Sequence, residues 1–239
     1  MSDVPSIGFI GGTGPQGRGL AMRLALAGYA CVIGSRTEEK GRDAAAKAMD
    51  ALAEAGRAVD LSQAIAGGDN ATAARSDVVM VVVPYEAQET VLPPLAPALE
   101  GKTVVNCINA LSVDDRGPYP VRVPGGSAAE ECQELLPGAR VVGGFQNVSA
   151  VALRRVGQPV DADVVLTGDD EAAREQVAAI ARSIAGVRAV HAGSLRLSAP
   201  VEDLTALLLA VNKRYKSHAS LRLGGLTDEM LAALDGAEA

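Results

Sequence analysis

The sequence is poor in aromatic residues. Trp is absent, Phe occurs twice and Tyr four times, so that aromatics make up only 3% of the chain. Hydrophobic residues nevertheless make up 48%, and they are drawn largely from Ala, Val and Leu. This apolar content excludes a disordered chain, because enough surface can be buried to offset the chain entropy. A core of such small side chains is typical of closely packed helices and strands.

Cysteine and histidine are also scarce. Cys31, Cys107 and Cys132 are far apart and lack the paired spacing of a metal site. Cys31 and Cys107 stand in apolar runs, which predicts buried, inert thiols, and an odd count without a disulfide framework is typical of the reducing cytoplasm. The two histidines, His191 and His218, form neither a Ser-His-Asp pattern nor a metal-ligand spacing. We therefore expect no metal and no acid–base triad.

Charge and hydropathy exclude two further classes of protein. The formal net charge is −7 at pH 7, whereas non-specific nucleic-acid binding needs a basic field, so no nucleic-acid partner is expected. No run approaches the roughly 20 apolar residues that cross a bilayer, and the N-terminus lacks the pattern of a signal peptide. The sequence predicts a soluble, cytoplasmic protein without membrane contact.

Strand-like and helix-like runs alternate from the start of the chain. Apolar runs that end in glycine or proline predict strands, and apolar residues at helical spacing predict helices between them. The predicted strands of the first part are SIGFIGG, YACVIGS, VDLSQAIAGG, DVVMVVVP, KTVVNCIN and ARVVGGF. Successive βαβ units predict an α/β fold with a doubly wound parallel sheet of the Rossmann type over residues 1–150.

Residues 151–239 are predicted to form a small C-terminal α/β domain that packs closely on the first and helps to form the substrate cleft. Its predicted strands are ADVVLTG and RAVHAG, with a helix between them. A final apolar helix, VEDLTALLLAVNKRY, leads into a tail.

A glycine-rich turn, GGTGPQG, joins the first predicted strand to the first predicted helix. Its glycines fit G-x-G-x-x-G, in which they allow a tight turn, backbone approach to a pyrophosphate and close helix–strand packing. The helix N-terminus offers free N–H groups to phosphates. The alternative is a structural turn without a ligand. We predict dinucleotide binding by the whole turn: Gly12, Thr13, Gly14, Pro15, Gln16 and Gly17.

The acidic residue that usually closes the second strand of such a fold is missing. That acid would bind the 2′-OH of an NAD ribose and repel a 2′-phosphate. Ser35 and Arg36 stand in its place, and Lys40 adds a second positive charge one helical turn on. Thr37 can cap the next helix or bond the same phosphate. These residues predict NADP(H) rather than NAD(H); an exposed basic loop would leave the missing carboxylate unexplained.

With these motifs, the chain resembles the NADPH-dependent reductases of coenzyme F420, a deazaflavin. The resemblance rests on GGTGPQGRGLAMRLALAG, IGSR and EEK, and it continues less specifically through VVVPYEA, GGFQN, TGDDEAA and AGSL. It spans most of residues 7–210. The resemblance implies reversible hydride transfer between NADP(H) and coenzyme F420 as co-substrate, in a homodimer, with small-molecule redox cofactors as the partners. No catalytic acid or base is expected, because proximity and orientation supply the effect.

Further site residues are expected where strands end, since ligands of doubly wound folds bind at the carboxyl ends of strands. Pro84 and Tyr85 follow the fourth strand beside the expected nicotinamide path, although Pro84 can simply end the strand. Asn109, after the fifth strand, is expected to bind the nicotinamide ribose or carboxamide, or to be a plain turn residue. These three positions are assigned to the cofactor.

The segment after the sixth strand is expected to lie between the two ring systems, as the resemblance implies. Gln146 and Val148 are assigned to the cofactor, and Gln146 and Asn147 to the deazaflavin. Many family members have a histidine where Gln146 stands, which leaves the acceptor open. A packing role is favoured for Phe145.

His191 and Ser194, placed after the last strand, are expected to flank the deazaflavin ring; His191 has the alternative of a surface role. Two basic clusters are candidates for its anionic tail or for a solvated face: Arg154 and Arg155, and then Lys213, Arg214, Lys216 and Arg222. Two other functions stay open. One is NADPH-dependent reduction of a flavin, a ferric chelate or a small organic substrate, and the other is a non-catalytic NADP(H)-binding module.

Overall fold

The computed structural model describes residues 4–57 and 64–235. Its strands are β1 (Ile7–Ile10), β2 (Cys31–Ser35), β3 (Ile65–Asp69), β4 (Val78–Val81), β5 (Thr103–Asn106), β6 (Leu111–Asp114), β7 (Gly117–Pro120), β8 (Arg140–Gly143), β9 (Ala162–Thr167) and β10 (Val187–Gly193). Its α-helices are α1 (Pro15–Leu26), α2 (Glu38–Glu54), α3 (Asn70–Ala73), α4 (Tyr85–Val91), α5 (Ala96–Leu99), α6 (Ala128–Leu135), α7 (Ala150–Arg154), α8 (Glu171–Arg182), α9 (Ser198–Tyr215) and α10 (Asp228–Asp235). Short 3₁₀ turns cover Pro93–Leu95 and Leu195–Leu197. Part of the segment VDLSQAIAGG, which predicts the third strand, lies outside the described residues.

Eight strands form one sheet in the order β10-β9-β8-β5-β4-β1-β2-β3. The chain builds β1, β2 and β3 outward in one direction, returns to the middle and builds β4, β5 and β8 in the other. These strands pair in parallel, as in Ile7↔Cys31 and Ile7↔Val78. The order reverses between β1 and β4, which is the place where a doubly wound sheet opens a ligand crevice. The predicted Rossmann-type fold is confirmed.

The last two strands, which were predicted for the small C-terminal domain, join the same sheet, and one of them enters it in the antiparallel sense. β9 pairs with β8 in the antiparallel sense through Gly143↔Thr167, while β10 runs parallel to β9. A parallel return needs a crossover of a dozen or more residues, usually a helix that runs the length of the sheet. α7 has 5 residues and is too short for that. The chain therefore enters β9 at the same end of the sheet at which it left β8, and β9 runs antiparallel to β8. β9 and β10 extend the sheet of residues 1–150, and the boundary at residue 150 stays a prediction.

The core occupies both faces of the sheet. On one face a continuous apolar cluster extends from Leu52 of α2 through Phe9 to Val187 of β10, under helices α1, α7 and α8. On the other face α4, α5 and α6 cover Val79 and Val104. Because β4 and β5 are buried on both faces, their sequences, VVMV and TVVN, are rich in β-branched residues and show no polar–apolar alternation.

The three cysteines are free and buried, as expected for Cys31 and Cys107. Burial raises the pKa of the Cys31 thiol to about 12 and also raises that of Cys107. These thiols stay protonated and unreactive at neutral pH.

Three elements were not expected from the sequence. The hairpin β6–β7 packs against α9; its prolines, Pro118 and Pro120, obscure the strand pattern. The short helix α7 and the helix α10 in the tail were missed as well. Within residues 4–57 and 64–235, no helix combines the length and the apolar character needed to cross a membrane.

Candidate functional site

The glycine turn, residues 11–17, connects β1 to α1 at the switch point of the sheet. Gly11 adopts φ 72°, and the Gly12 N–H donates to the Gly34 carbonyl of β2 (3.0 Å). A Cβ on Gly17 would lie 2.5 Å from the Gly12 carbonyl oxygen, so helix and turn approach as closely as glycine allows. A Cβ on Gly14 would meet no atom within 4 Å. The turn is therefore tightly packed at Gly17 and open at Gly14.

The first turn of α1 offers an anion site. The helix begins at Pro15 after Gly14, no side chain caps it, and its first turn holds no acidic residue. Uncapped N–H groups at a helix N-terminus carry partial positive charge and bind phosphates well.

Asn70 supports this turn, and sequence reasoning missed it. Its Oδ1 accepts a hydrogen bond from the Gly11 N–H (3.0 Å). Beside it, Asp69 accepts from the N–H and the hydroxyl of Thr72, both at 2.7 Å. These hydrogen bonds lower the pKa of Asp69. Asp69 is paired in register with Ser35, but its carboxylate is committed to capping α3.

The basic corner, residues 35–40, lies at the end of β2. Ser35 is buried, whereas Arg36 and Lys40 are exposed. Thr37 caps α2, since its side chain accepts from the Lys40 N–H (3.4 Å). Among the residues that the structure describes, neither the Arg36 guanidinium nor the Lys40 ammonium has an ion pair or hydrogen bond. Both cations are thus available to an anion.

The 145–148 loop follows β8 and touches the glycine turn directly. Gln16 Nε2 donates to the Phe145 carbonyl oxygen (2.9 Å). Phe145 is 1% exposed and adopts φ 66°, a left-handed conformation that is rare for a bulky residue. The predicted packing role of Phe145 is confirmed. Val148 is also buried in the core, 5% exposed.

Gln146 and Asn147 in this loop carry buried polar atoms without partners. Their exposed fractions are 3% and 5%. Neither Nε2 nor Oε1 of Gln146, nor Nδ2 of Asn147, has a hydrogen bond to any described residue. An unsatisfied buried donor or acceptor costs about 1–3 kcal/mol, so such groups call for a ligand or an ordered water.

Asn109 is joined to the same loop. Its Nδ2 donates to the Gln146 carbonyl oxygen (2.9 Å), and its Oδ1 accepts from the Thr205 hydroxyl of α9 (3.0 Å). The Thr205 hydroxyl also lies 3.2 Å from the Gln146 carbonyl oxygen. The structure therefore brings Gln16, Asn109 and the 145–148 loop together, and adds Thr205, which no sequence motif indicated.

Pro84 and Tyr85 lie at the carboxyl end of β4, next to β1. Pro84 is exposed and precedes α4, while Tyr85 is half-buried as its first residue. Burial, a hydrogen bond with Glu131 of α6 and nearby carboxylates raise the pKa of Tyr85 to about 12. The phenol stays neutral and is directed toward α6.

His191 and Ser194 are not joined to this cluster by any hydrogen bond among the described residues. His191 lies within β10, as the predicted strand RAVHAG has it, and not after the strand; its Nε2 is 3.2 Å from Oε1 of Glu175 on α8. Ser194 precedes the 3₁₀ turn that follows β10 and is half-buried.

Arg222, from the basic tail, has a structural role. It bonds Asp161 and Asp163, and Arg188 binds the same Asp163 carboxylate at 2.7 Å. Burial raises the pKa of Asp163, but the hydrogen bonds from Arg188, Leu223 and Arg222 outweigh it and the pKa is lowered. The tail after α9 is pinned to β9 in this way. Arg154, Arg155, Lys213, Arg214 and Lys216 are exposed.

The sheet order, the glycine turn at the switch point and the uncapped α1 define a Rossmann-type nucleotide-binding protein. A family model described as coenzyme F420-dependent NADP oxidoreductase matches residues 6–110. An F420-dependent NADP reductase from Methanocaldococcus jannaschii is 40% identical over 215 residues, 88% of this chain and 94% of the relative. Another, from Methanothermobacter thermautotrophicus, is 37% identical over 237 residues, 95% of this chain and 97% of the relative. The chain belongs to the family of F420-dependent NADP reductases.

A solved structure supports the fold independently. A candidate F420-dependent NADP reductase from Arthrobacter sp. FB24 superposes with a TM-score of 0.76 at 23% identity, covering 92% of this chain and 100% of that one. At this identity the likeness concerns the fold alone.

Proposed function

We propose that this chain transfers a hydride reversibly between NADP(H) and the deazaflavin coenzyme F420. The observation that carries the proposal is the hydrogen bond from Gln16 to the Phe145 carbonyl (2.9 Å). It ties the turn suited to a pyrophosphate to a loop with unpartnered amides. Two ligands bound on either side of this contact would meet face to face.

NADP(H) would be held by its phosphates. The glycine turn and the uncapped α1 suit the pyrophosphate, with Thr13 and Pro15 lining it. Ser35, Arg36 and Lys40 suit the 2′-phosphate, because free cations and a hydroxyl stand where a carboxylate would repel it. Thr37 serves mainly as the cap of α2.

The reacting rings would lie along the carboxyl ends of β4, β5 and β8. Pro84, Tyr85 and Asn109 would border the nicotinamide, with Val148 packed behind it. Gln146 and Asn147 would satisfy their free amide groups on the deazaflavin, an apolar ring with polar edges. Ser194 and His191 would border the ring from β10. The protein's part is to bind, orient and exclude water; hydride transfer needs no side chain to move a proton.

The test is an anaerobic mixture of the protein, NADPH and coenzyme F420, followed by the loss of deazaflavin absorbance. Turnover with F420 and little with FMN or a ferric chelate is expected. Turnover of FMN or the chelate without F420 would favour the second candidate function, and NADPH binding without any acceptor would favour a binding module.

Homodimer formation is proposed through α9. Leu207 and Tyr215 are 59% and 70% exposed and lie about two turns apart on this helix. Exposed apolar patches of this kind are typical of protein contacts. Light scattering should give a dimer for the native chain and a monomer for Leu207→Glu, with the exposed Lys213→Glu unchanged. A native monomer would contradict the proposal.

We place the enzyme in the cytoplasm, with small-molecule cofactors and no nucleic acid as partners. Free buried thiols such as Cys31, Cys107 and Cys132 persist in a reducing compartment. Cell fractionation tests the location.

A further inference from the structure

Glu202 of α9 caps a helix to which it does not belong. Its Oε2 accepts from the Ala128 N–H (2.9 Å) and its Oε1 from the Ala129 N–H (3.2 Å). These are the first two N–H groups of α6; the third is capped locally by Ser127 (3.1 Å). Glu202 is 4% exposed. A single side chain thus satisfies two backbone donors across 74 and 73 residues of sequence, and it docks α9 on α6.

The docked face of α9 continues to the candidate site. Thr205 lies one turn after Glu202, and residues three apart share a helix face. Its hydroxyl donates to Asn109 Oδ1 (3.0 Å) and lies 3.2 Å from the Gln146 carbonyl oxygen. Thr205, and through it Asn109 and the 145–148 loop, is thereby connected to the contact between Glu202 and α6; the buried Ser198 at the start of α9 also bonds Thr167 of β9 (2.6 Å).

The loop has few other restraints on that side. Gln16 holds its Phe145 carbonyl from the glycine turn (2.9 Å), while the Gln146 and Asn147 amides have no partners among the described residues. Phe145 is in a left-handed conformation, φ 66°, which persists only where the surroundings hold it. Burial in the core and the Gln16 bond hold Phe145 itself, and Asn109 and Thr205 hold the next carbonyl, that of Gln146.

We propose that Glu202 is a positioning residue of this enzyme: by docking α9 on the first turn of α6, it orients Thr205, Asn109 and the 145–148 loop for hydride transfer. The proposal rests on the proposed function for its kinetic readout. Glu202 itself contacts neither NADP(H) nor the deazaflavin in this scheme. Its removal should change the rate of the bound complex more than NADPH affinity.

The ionisable surroundings of Glu202 are mostly acidic. Burial raises the pKa of Glu202 to about 7, Asp203 and Glu130 raise it, and the N–H groups of Ala128 and Ala129 lower it. The Tyr85 phenol and the Cys132 thiol also face it, and both stay neutral at pH 7. The protonated carboxyl is therefore well populated near neutral pH. Gln matches its shape and neutral charge but retains only one acceptor oxygen.

The decisive variants are Glu202→Ala and Glu202→Gln. The alanine leaves two buried N–H groups without an acceptor; it should lower kcat about tenfold or more, since small misplacements cost that much. The Kd for NADPH should stay within about twofold. Glu202→Gln keeps one acceptor oxygen and places a donor against the second N–H, so its kcat should lie between those of the native chain and Glu202→Ala. Asp203→Asn, an exposed neighbour on the same helix, is the control and should keep kcat. Unchanged kcat in Glu202→Ala, or a Glu202→Gln variant no faster than Glu202→Ala, would overturn the proposal.

Thr205→Val removes the hydroxyl that connects α9 to Asn109 and the Gln146 carbonyl. It leaves the hydrogen bonds between Glu202 and α6 in place. It should lower kcat while the amides of Ala128 and Ala129 stay protected from hydrogen exchange. The double variant Glu202→Ala/Thr205→Val should lose little more than Glu202→Ala alone, because both act through one chain of contacts. Additive losses would contradict a shared route.

Hydrogen exchange also distinguishes this proposal from the proposed function. If the native chain does not turn over F420, the proposed function fails, but the effect of Glu202 on amide exchange in α6 and in the 145–148 loop can still be measured. Glu202→Ala should then speed exchange both at Ala128 and Ala129 and in the 145–148 loop. Faster exchange confined to α6 would overturn the positioning role.

Discussion

The basic corner and the 145–148 loop present polar groups in opposite ways. Arg36 and Lys40 are exposed and come from a short continuous stretch. The Gln146 and Asn147 amides are buried, in a loop held by Gln16, Asn109 and Thr205, which are remote in sequence. Exposed cations recognise an anion by charge, and they are hydrated when the anion is absent, so that an empty site carries little free-energy penalty. Buried amides impose geometry, because leaving them unpaired is costly. Under the proposed function, the choice of nucleotide therefore rests on residues close together in sequence, and the orientation of the reacting rings rests on tertiary contacts.

The glycine turn lies between these two regions, and its disruption should have the largest effect. Gly17→Ala would place a Cβ 2.5 Å from the Gly12 carbonyl oxygen, which forces α1 away from the turn. We expect a loss of about a hundredfold or more in NADPH affinity by titration calorimetry, together with a lower Tm. Gly157→Ala, whose Cβ meets no atom within 4 Å, is the matched control. Native affinity in Gly17→Ala would refute the close-packed turn.

Arg36→Ala tests whether the basic corner acts by local charge. The KM for NADPH should rise roughly ten- to a hundredfold, since a charge-assisted pair to phosphate is worth about 1.5–3 kcal/mol. The KM for NADH should hardly change. Arg42→Ala is the control, because Arg42 is already paired with Glu38 on the same helix. Equal losses for both nucleotides would show that the corner does not bind the 2′-phosphate.

Gln146→Leu tests whether the buried amide serves a ligand rather than the fold. The KM for F420 should rise about five- to tenfold, while the free energy of unfolding should not fall, because no protein hydrogen bond is lost. Gln133→Leu provides the opposite case, since Gln133 bonds Leu136, Ala139 and Val141. It should lose stability and keep its KM. Destabilisation of Gln146→Leu without a KM change would make Gln146 a structural residue.

The smallest expected effect is a dependence of the unfolding free energy on pH. It concerns Glu202, which docks α9 on α6. Its folded-state pKa, about 7, is above its ordinary value of 4.5, so the folded chain binds the extra proton between these two pH values. Stability from this group therefore falls as pH rises. Between pH 6 and 8 the native chain should lose about 1 kcal/mol of unfolding free energy relative to Glu202→Gln, in urea titrations. A constant difference across this range would contradict the raised pKa.

Particular residues show how far sequence reasoning reached. Cys31 as a buried thiol and Phe145 as a packing residue were predicted and are confirmed, and Thr37 adopts the cap, one of the two roles predicted for it. Each depends on local pattern. Asn70, Thr205 and Glu202 were missed, because each bonds a backbone or side chain at least 59 residues away. The reversed direction of β9 was missed for a similar reason: it follows from the shortness of α7.

The sequence by itself determined the doubly wound fold, the glycine turn and the basic corner. These arise from periodicity, turn chemistry and charge within short windows, where backbone conformation and hydrogen bonding are decided by near neighbours. Only the tertiary structure decided how the 145–148 loop is held and where α9 docks. Those contacts join residues that are far apart in sequence, and the residue type of each does not indicate its partner. Packing of the whole sheet decides which of these side chains come into contact.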